Sequence, residues 1–280
     1  MPELPEVETM VQGIRPHCEG RKILEIQQCD CPRKPITLSP DFTKFEQRIR
    51  GQRIQEVTRL AKRIVILLES TDRIVIEPRM TGLMLVADPP TETHRRLLWM
   101  LEANDTEIDS FEFWDRRGLG TVRLLSVSEF AELTERLGPD ALQMSIDDWL
   151  AIKRRTSRPV KVALLDQTLV AGIGNLYASE ILHRAAVSPK RACSKVTAAQ
   201  WKLIDQHTLA VLKEAIQYEG STLGDGTYRN ALNKDGSYQN AHQVYAKEGE
   251  PCPRCKDKQK TIKRIVQTQR ATFYCSSCQK

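Results

Sequence analysis

The spacing of apolar residues changes from strand-like to helical near Leu125, and that change restricts the fold more than any other feature of the sequence. Between Arg21 and Ser126 apolar positions gather in short runs separated by turn-forming residues, over 22–27, 54–60, 63–69, 73–77, 82–86, 95–102, 107–113 and 121–125. Runs of this length predict the strands of a sandwich or flattened barrel, with one helical interruption over 41–49. Beyond Leu125 the period lengthens to that of a helix over 127–137, 145–155 and 160–167. Thr197 and Gln200 then form a capping-box signature ahead of Trp201, Ile204, Val211, Leu212, Ala215 and Ile216. A helix also opens the chain, because Val7, Met10, Val11 and Ile14 share one face and Pro5 suits a first turn. Gly138-Pro139-Asp140 reads as a linker, and the Gly-, Ser-, Asn- and Asp-rich stretch 219–240 as a mobile loop.

Two knuckles, Cys252-x2-Cys255 and Cys275-x2-Cys278, stand nineteen residues apart near the end of the sequence. Four thiolates so spaced fit one tetrahedral zinc, and a closed four-sulfur set predicts a structural ion with no open position for chemistry. Pro251, Pro253 and the run Thr272-Phe273-Tyr274 suit a zinc-bound β-hairpin that carries Arg270 at its tip or edge. Cys18, Cys29, Cys31 and Cys193 lack metal-like grouping and are read as structural. Residues 246–280 hold nine Lys and Arg against three Asp and Glu, an excess equal to the net +6 of the whole 280-residue chain. A basic terminal module suits a polyanion, since each phosphate contact releases condensed counterions.

The N-terminus reads Pro2-Glu3-Leu4-Pro5-Glu6-Val7-Glu8 after Met1. Removal of Met1 would expose a secondary amine able to lose its proton near neutral pH, the α-amino reference being about 7.7 to 8.0. Such an amine beside carboxylates can attack an electrophilic carbon and pass through an iminium. Glutamates here can also simply complement the positive end of the first helix. Ala171-Gly172-Ile173-Gly174-Asn175 lies between two helical patterns, where glycines permit close backbone approach and exposed amides can bind phosphate.

Together these residues resemble the formamidopyrimidine-DNA glycosylase family from Pro2 to the last residues. The opening 2–8, the segments 161–167 and 171–182, and Gln269-Arg270-Ala271-Thr272-Phe273-Tyr274-Cys275 stand in the family's order. The resemblance implies a multidomain α+β fold: an N-terminal catalytic β-sandwich (1–128), a helix–two-turn–helix DNA-binding domain (129–245) and a C-terminal zinc finger (246–280). It implies roles as well. Pro2 would attack the sugar's anomeric carbon, Glu3 would protonate the opening sugar, Glu6 would position groups or relay protons, and Lys62 would contact a phosphate beside the lesion. Met80, Arg117 and Leu119 would fill the space left by a flipped base, Lys161, Asn175 and Arg270 would bind phosphates, and Cys252, Cys255, Cys275 and Cys278 would hold one structural Zn2+.

The sequence also departs from the family. Glu77-Pro78-Arg79 replaces the usual His-Leu-Gly before Met80, while Gly118 and Leu119 replace an arginine and a phenylalanine. The knuckle gap is longer, with Lys256, Lys258 and Lys260 in the added loop. The expected function is excision of oxidised purines, 8-oxoguanine and formamidopyrimidines, from double-stranded DNA, followed by β,δ-elimination at the abasic site. One alternative is the related branch that prefers oxidised pyrimidines, against which the Glu-Leu-Pro start argues; another is a non-catalytic zinc-finger DNA-binding protein. Glu3, Glu6 and Glu8 stand where a secretory signal would be basic and apolar, and no run is long enough to span a membrane. A cytoplasmic, nucleoid-associated monomer is expected.

Overall fold

A computed structural model describes residues 2–104, 107–224 and 226–280. The chain forms two compact units, one of residues 1–135 and 216–239, the other of 136–215 and 240–280. Within the first, helix α1 (Leu4–Cys18) precedes strands β1 (Ile23–Gln28) and β2 (Thr37–Ser39), helix α2 (Phe42–Ile49) and strands β3 (Ile54–Leu60), β4 (Arg63–Leu68), β5 (Arg73–Glu77) and β6 (Gly82–Leu85). Strands β7 (Arg95–Leu101), β8 (Ser110–Asp115) and β9 (Thr121–Leu125) and helix α3 (Val127–Glu135) follow. The strands form a sandwich, one sheet ordered β1-β7-β8-β6 and the other β2-β9-β5-β4-β3.

The apolar runs at β4 and β5 are continuous because both of their faces are covered. Ile64, Ile66, Ile74 and Ile76 face the main core with Val7, Met10, Val11 and Ile14 of α1, whereas Val65, Val75 and Leu125 pack on the other side against Phe130 and Leu133 of α3. Trp99 and Phe111 stack inside that core with ring centroids 4.8 Å apart. The expected strands and opening helix are present, with α1 running further than its apolar pattern, through Pro16 to Cys18. β2 has no counterpart among the expected strands, since three residues pairing in parallel with β9 are too short to show a period. β8 starts and ends later than the expected 107–113, closing on Asp115, which is fully buried.

The second unit contains α4 (Ile146–Arg155), α5 (Val160–Leu164), α6 (Asn175–Arg184) and most of α7 (Ala198–Gln217), then a hairpin of β10 (Lys263–Gln267) and β11 (Arg270–Tyr274). Ser145 and Asp148 cap α4 reciprocally, and the expected pair Thr197 and Gln200 does the same ahead of α7. Trp149 and Trp201 stack at 5.9 Å and the Trp149 indole donates to Asp205 at 2.8 Å, joining α4 to α7. Between α5 and α6 the chain makes two tight turns. Gln167 holds them, accepting from the Gly172 N–H at 2.9 Å and donating to the Ile173 carbonyl at 2.9 Å, with Gly172 at φ +107°.

Candidate functional site

The N-terminal residues are closed in. Pro2 is buried, and Glu3 and Glu6 are only 4% and 3% exposed. Glu3 occupies the N-cap of α1, and the Glu6 carboxylate reaches back to accept the Glu3 N–H at 2.9 Å. The other Glu6 oxygen accepts the Ser221 N–H at 3.0 Å. Gly220, at φ +78°, allows this approach, since a Cβ there would stand 3.0 Å from Glu6 Cγ and Oε1. Burial, and behind it the Glu6 charge, pushes the Tyr228 phenol well above its ordinary value. It therefore remains a donor, to the Glu219 carbonyl at 3.0 Å. Part of the segment read as a mobile loop is thus tied to the first turn of α1, and nothing in the composition of 219–240 signals that anchoring. Met1 lies outside the described residues, so its expected removal is not addressed by the structure.

Lys62 belongs to the two-residue turn that joins β3 to β4, where Leu60 pairs with Arg63 and Ala61 adopts φ +55°. Arg59 fixes the turn, donating to the Ala61 carbonyl at 2.8 Å and to Glu8 of α1 at 2.9 Å. This largely buried ion pair locates the Lys62 turn relative to the helix that starts beside Pro2.

Met80 and Arg117 lie on different strand connections and meet in space: Arg117 Nη1 lies 3.1 Å from the Met80 sulfur. Buried Asp115 organises both loops. Its carboxylate accepts from the Thr81 hydroxyl, from the Arg117 N–H at 3.1 Å and from the Gly120 N–H at 2.8 Å. Met80 is 40% exposed, Arg117 is exposed and Leu119, two residues on, is half-buried. Glu77, at the position of the histidine in the family pattern, pairs with Arg63 at 3.5 Å and Arg79 at 3.4 Å.

In the second unit Lys161 is 1% exposed. Its ammonium donates to Asn175 Oδ1 at 2.7 Å, Thr272 Oγ1 at 2.7 Å and the Ala271 carbonyl at 3.2 Å. Asn175 Nδ2 also donates to Ala271, at 3.0 Å. Lys161 therefore supports the start of α6 and the edge of β11 from behind, and in this conformation is no surface ligand. Arg270 is exposed at the first residue of β11, beside the turn residues Thr268 and Gln269, at φ +45° and +61°. Two left-handed residues give the turn whose twist suits a tight hairpin, a conformation rarely held by a β-branched threonine.

The four knuckle sulfurs lie within 4.8 Å of one another, with Cys252–Cys278 and Cys255–Cys275 both at 3.7 Å. Zinc–sulfur bonds of about 2.3 Å in a tetrahedron require sulfur–sulfur edges of about 3.8 Å, so the four cysteines fit a structural zinc ion and form its binding site. The surrounding shell has no signal in the sequence. His183 Nε2 lies 3.4 Å from Cys252 Sγ, and Arg254 donates to the carbonyls of His183 and Arg184 at the end of α6. Glu180, fully buried, accepts the N–H groups of Gln243, Val244 and Tyr245 at 2.8 to 3.0 Å and so sets the entry into the zinc module. Gln279 accepts from the Cys275 N–H at 2.8 Å and donates to the Val187 carbonyl at 2.9 Å. Cys18 and Cys193 are buried thiols pushed up by that burial to about 12 and about 11, which suits inert packing.

The chain is similar to known proteins along its whole length. Residues 1–122 match the formamidopyrimidine-DNA glycosylase N-terminal domain and residues 137–226 its H2TH domain. A formamidopyrimidine-DNA glycosylase of Chloroflexus aurantiacus is 38% identical over 281 aligned positions, covering 100% of this chain and 98% of the relative. The crystal structure of the MutM (Fpg) protein from Thermus thermophilus superposes with a TM-score of 0.84 at 33% identity, covering 99% and 98% of the two chains. A Lactococcus lactis FPG mutant in complex with Fapy-dG containing DNA superposes at 0.86 with 29% identity, over 100% of each chain.

Proposed function

Because the chain belongs to the formamidopyrimidine-DNA glycosylase family, we propose that it is a DNA repair enzyme that excises oxidised purines from duplex DNA and then nicks the abasic site through the amine of Pro2. The observation that carries this reading is the buried start of α1, where Pro2, Glu3 and Glu6 are all buried and the Glu6 carboxylate is fixed by the N–H groups of Glu3 and Ser221. A structural cap has no need of a residue whose nitrogen, freed of Met1, is a nucleophile.

In the proposed reaction the Pro2 nitrogen bonds to C1′ as the bond from C1′ to the base nitrogen breaks, its electron pair leaving with the base, and the proton that the Pro2 amine loses balances the one that the departing base takes up. Glu3 gives a proton to the ring oxygen as the sugar opens, which leaves an iminium between C1′ and Pro2. Loss of a C2′ proton then expels the 3′ phosphate and a second elimination expels the 5′ phosphate. Glu6, held at both oxygens, positions the Glu3 backbone and the 220–221 segment. Lys62 meets a phosphate near the lesion, while Met80, Arg117 and Leu119 occupy the space that the flipped nucleotide vacates. Asn175 and Arg270 hold backbone phosphates, and Lys161 adds its charge from behind them. Bound zinc supplies folding energy to the hairpin that carries Arg270 and takes no part in the chemistry.

Borohydride reduction tests the central step. Incubation with duplex DNA bearing 8-oxoguanine, a formamidopyrimidine or an abasic site should yield a covalent protein–DNA adduct that maps to Pro2. Protein that keeps Met1 should form none, since its Pro2 nitrogen is an amide; full trapping with Met1 in place would overturn the assignment.

A further inference from the structure

The loop between α6 and α7 carries a feature that the reaction above does not use. Lys190, Arg191, Lys195 and Lys280 line one shallow recess of about 480 Å³ with Ser188 and Ala192. Four other cations of the same unit are matched by carboxylates, Arg158 by Asp166, Arg184 by Glu214, Lys247 by Glu250 and Lys260 by Asp257. None of the four recess cations makes an ion pair with a described carboxylate. Cations gathered in one recess repel one another, and an anion from outside relieves that repulsion.

The recess is also built rather than loose. The Arg191 carbonyl accepts the Val160 N–H at 2.7 Å, the Arg191 N–H donates to the Ser188 carbonyl at 3.0 Å, and the Ser188 N–H donates to the Lys280 carbonyl at 3.1 Å. Lys190 lies over the Tyr274 ring of β11, its ammonium 5.5 Å from the centroid. The Gln267 side chain donates to the Pro189 carbonyl at 3.2 Å, and Gln267 is the cross-strand partner of Arg270. The recess is therefore continuous with the hairpin that presents Arg270.

We propose that this recess is a second phosphate-binding site, which takes the sugar–phosphate backbone of duplex DNA beyond the phosphates met by Asn175 and Arg270. The proposal rests on the DNA-binding reading given above. Its contacts are cation to phosphate with no path to base edges, so they add affinity without sequence preference.

The test measures affinity against salt for wild type, Lys190→Gln/Lys195→Gln and Arg270→Gln, each on a long abasic-analogue duplex and on one trimmed to the segment that the double variant protects from cleavage. Both lysines are exposed, so the double variant should fold and retain zinc as wild type does. On the long duplex it should bind about tenfold more weakly at low salt, and its slope of log K against log salt should fall by about two. On the trimmed duplex it should match wild type, whereas Arg270→Gln should be weaker on both. Unchanged affinity and slope on the long duplex, with Arg270→Gln weakened, would overturn the second site alone. If neither variant changes binding, or wild type binds neither duplex, the DNA reading of this unit falls with it. Equal loss on both duplexes would overturn the placement beyond Arg270.

Discussion

Gly118 shows at the scale of one residue how a departure from a family pattern acquires a reason. It sits at φ +62°, and a Cβ there would lie 1.8 Å from the Lys34 carbonyl oxygen. The family's arginine therefore has no room in this backbone. Gly118→Arg should destabilise the first unit by more than the roughly 1 to 3 kcal/mol of left-handed strain alone, because the clash is with backbone. Thermal unfolding measures this, and a variant as stable as wild type would show that the Lys34 segment moves readily. Glu3 invites a sharper test. Were it only a cap and a favourable charge, Glu3→Gln should change stability by roughly 0.3 to 1 kcal/mol and leave turnover nearly intact. As the acid that opens the sugar it should cost about 10² to 10⁴ in base-excision rate, with binding preserved and nicking of a preformed abasic site less affected. Single-turnover kinetics on both substrates decide between these, and equal small effects on the two rates would reject the acid role. Pro2, Glu3, Lys62 and Arg270 can be proposed from the sequence because they stand in ordered motifs. Asp115, which orders the Met80 and Arg117 loops, is not: a buried carboxylate that collects N–H groups has no periodic or motif signature.

At the scale of elements, strands and helices are readable where the apolar run or apolar face is long, as in β3 to β5 and α7. They are not readable where pairing alone makes the element, as in the three-residue β2. The zinc knuckles are plain from spacing, but the elements that hold them are not. α6 grips the module at both ends. Asn175, at its start, donates to Ala271, and His183, near its end, lies against Cys252. A side chain set against a ligand sulfur fixes that ligand's orientation, and loss of such a partner typically costs about 10- to 100-fold in metal affinity. His183→Ala should therefore lower zinc affinity by about that factor. Competition with a chromogenic chelator measures it, and wild-type zinc retention would show that His183 merely fills space. Cys275→Ser, which removes a ligand outright, should lose zinc at much lower chelator concentration than His183→Ala.

For the whole molecule, division into two units gives each unit an apolar cluster of its own. The main core of the sandwich, from Val7 to Leu124 with Tyr228 and Ala231, draws every member from the first unit. The cluster around the zinc ligands, Val244, Cys252, Ile262 and Cys275, draws every member from the second. Reading periods in chain order cannot assign a returning segment such as 216–239 to the sandwich, because that assignment is made by contacts such as Ser221 to Glu6. From this division follows an expected response to zinc removal. Structural zinc contributes on the order of 10 to 16 kcal/mol in isolated fingers at neutral pH, so a chelator should unfold the hairpin and withdraw Arg270. The sandwich, with its own core, should stay folded. Calorimetry should then show one transition lowered by chelation and another unmoved. Duplex binding and nicking should fall together, while borohydride trapping of Pro2 on a free sugar aldehyde, which needs no phosphate grip, should persist. Loss of both transitions on chelation would mean that the units do not fold separately, and wild-type nicking by zinc-free protein would remove the finger from the DNA-binding machinery.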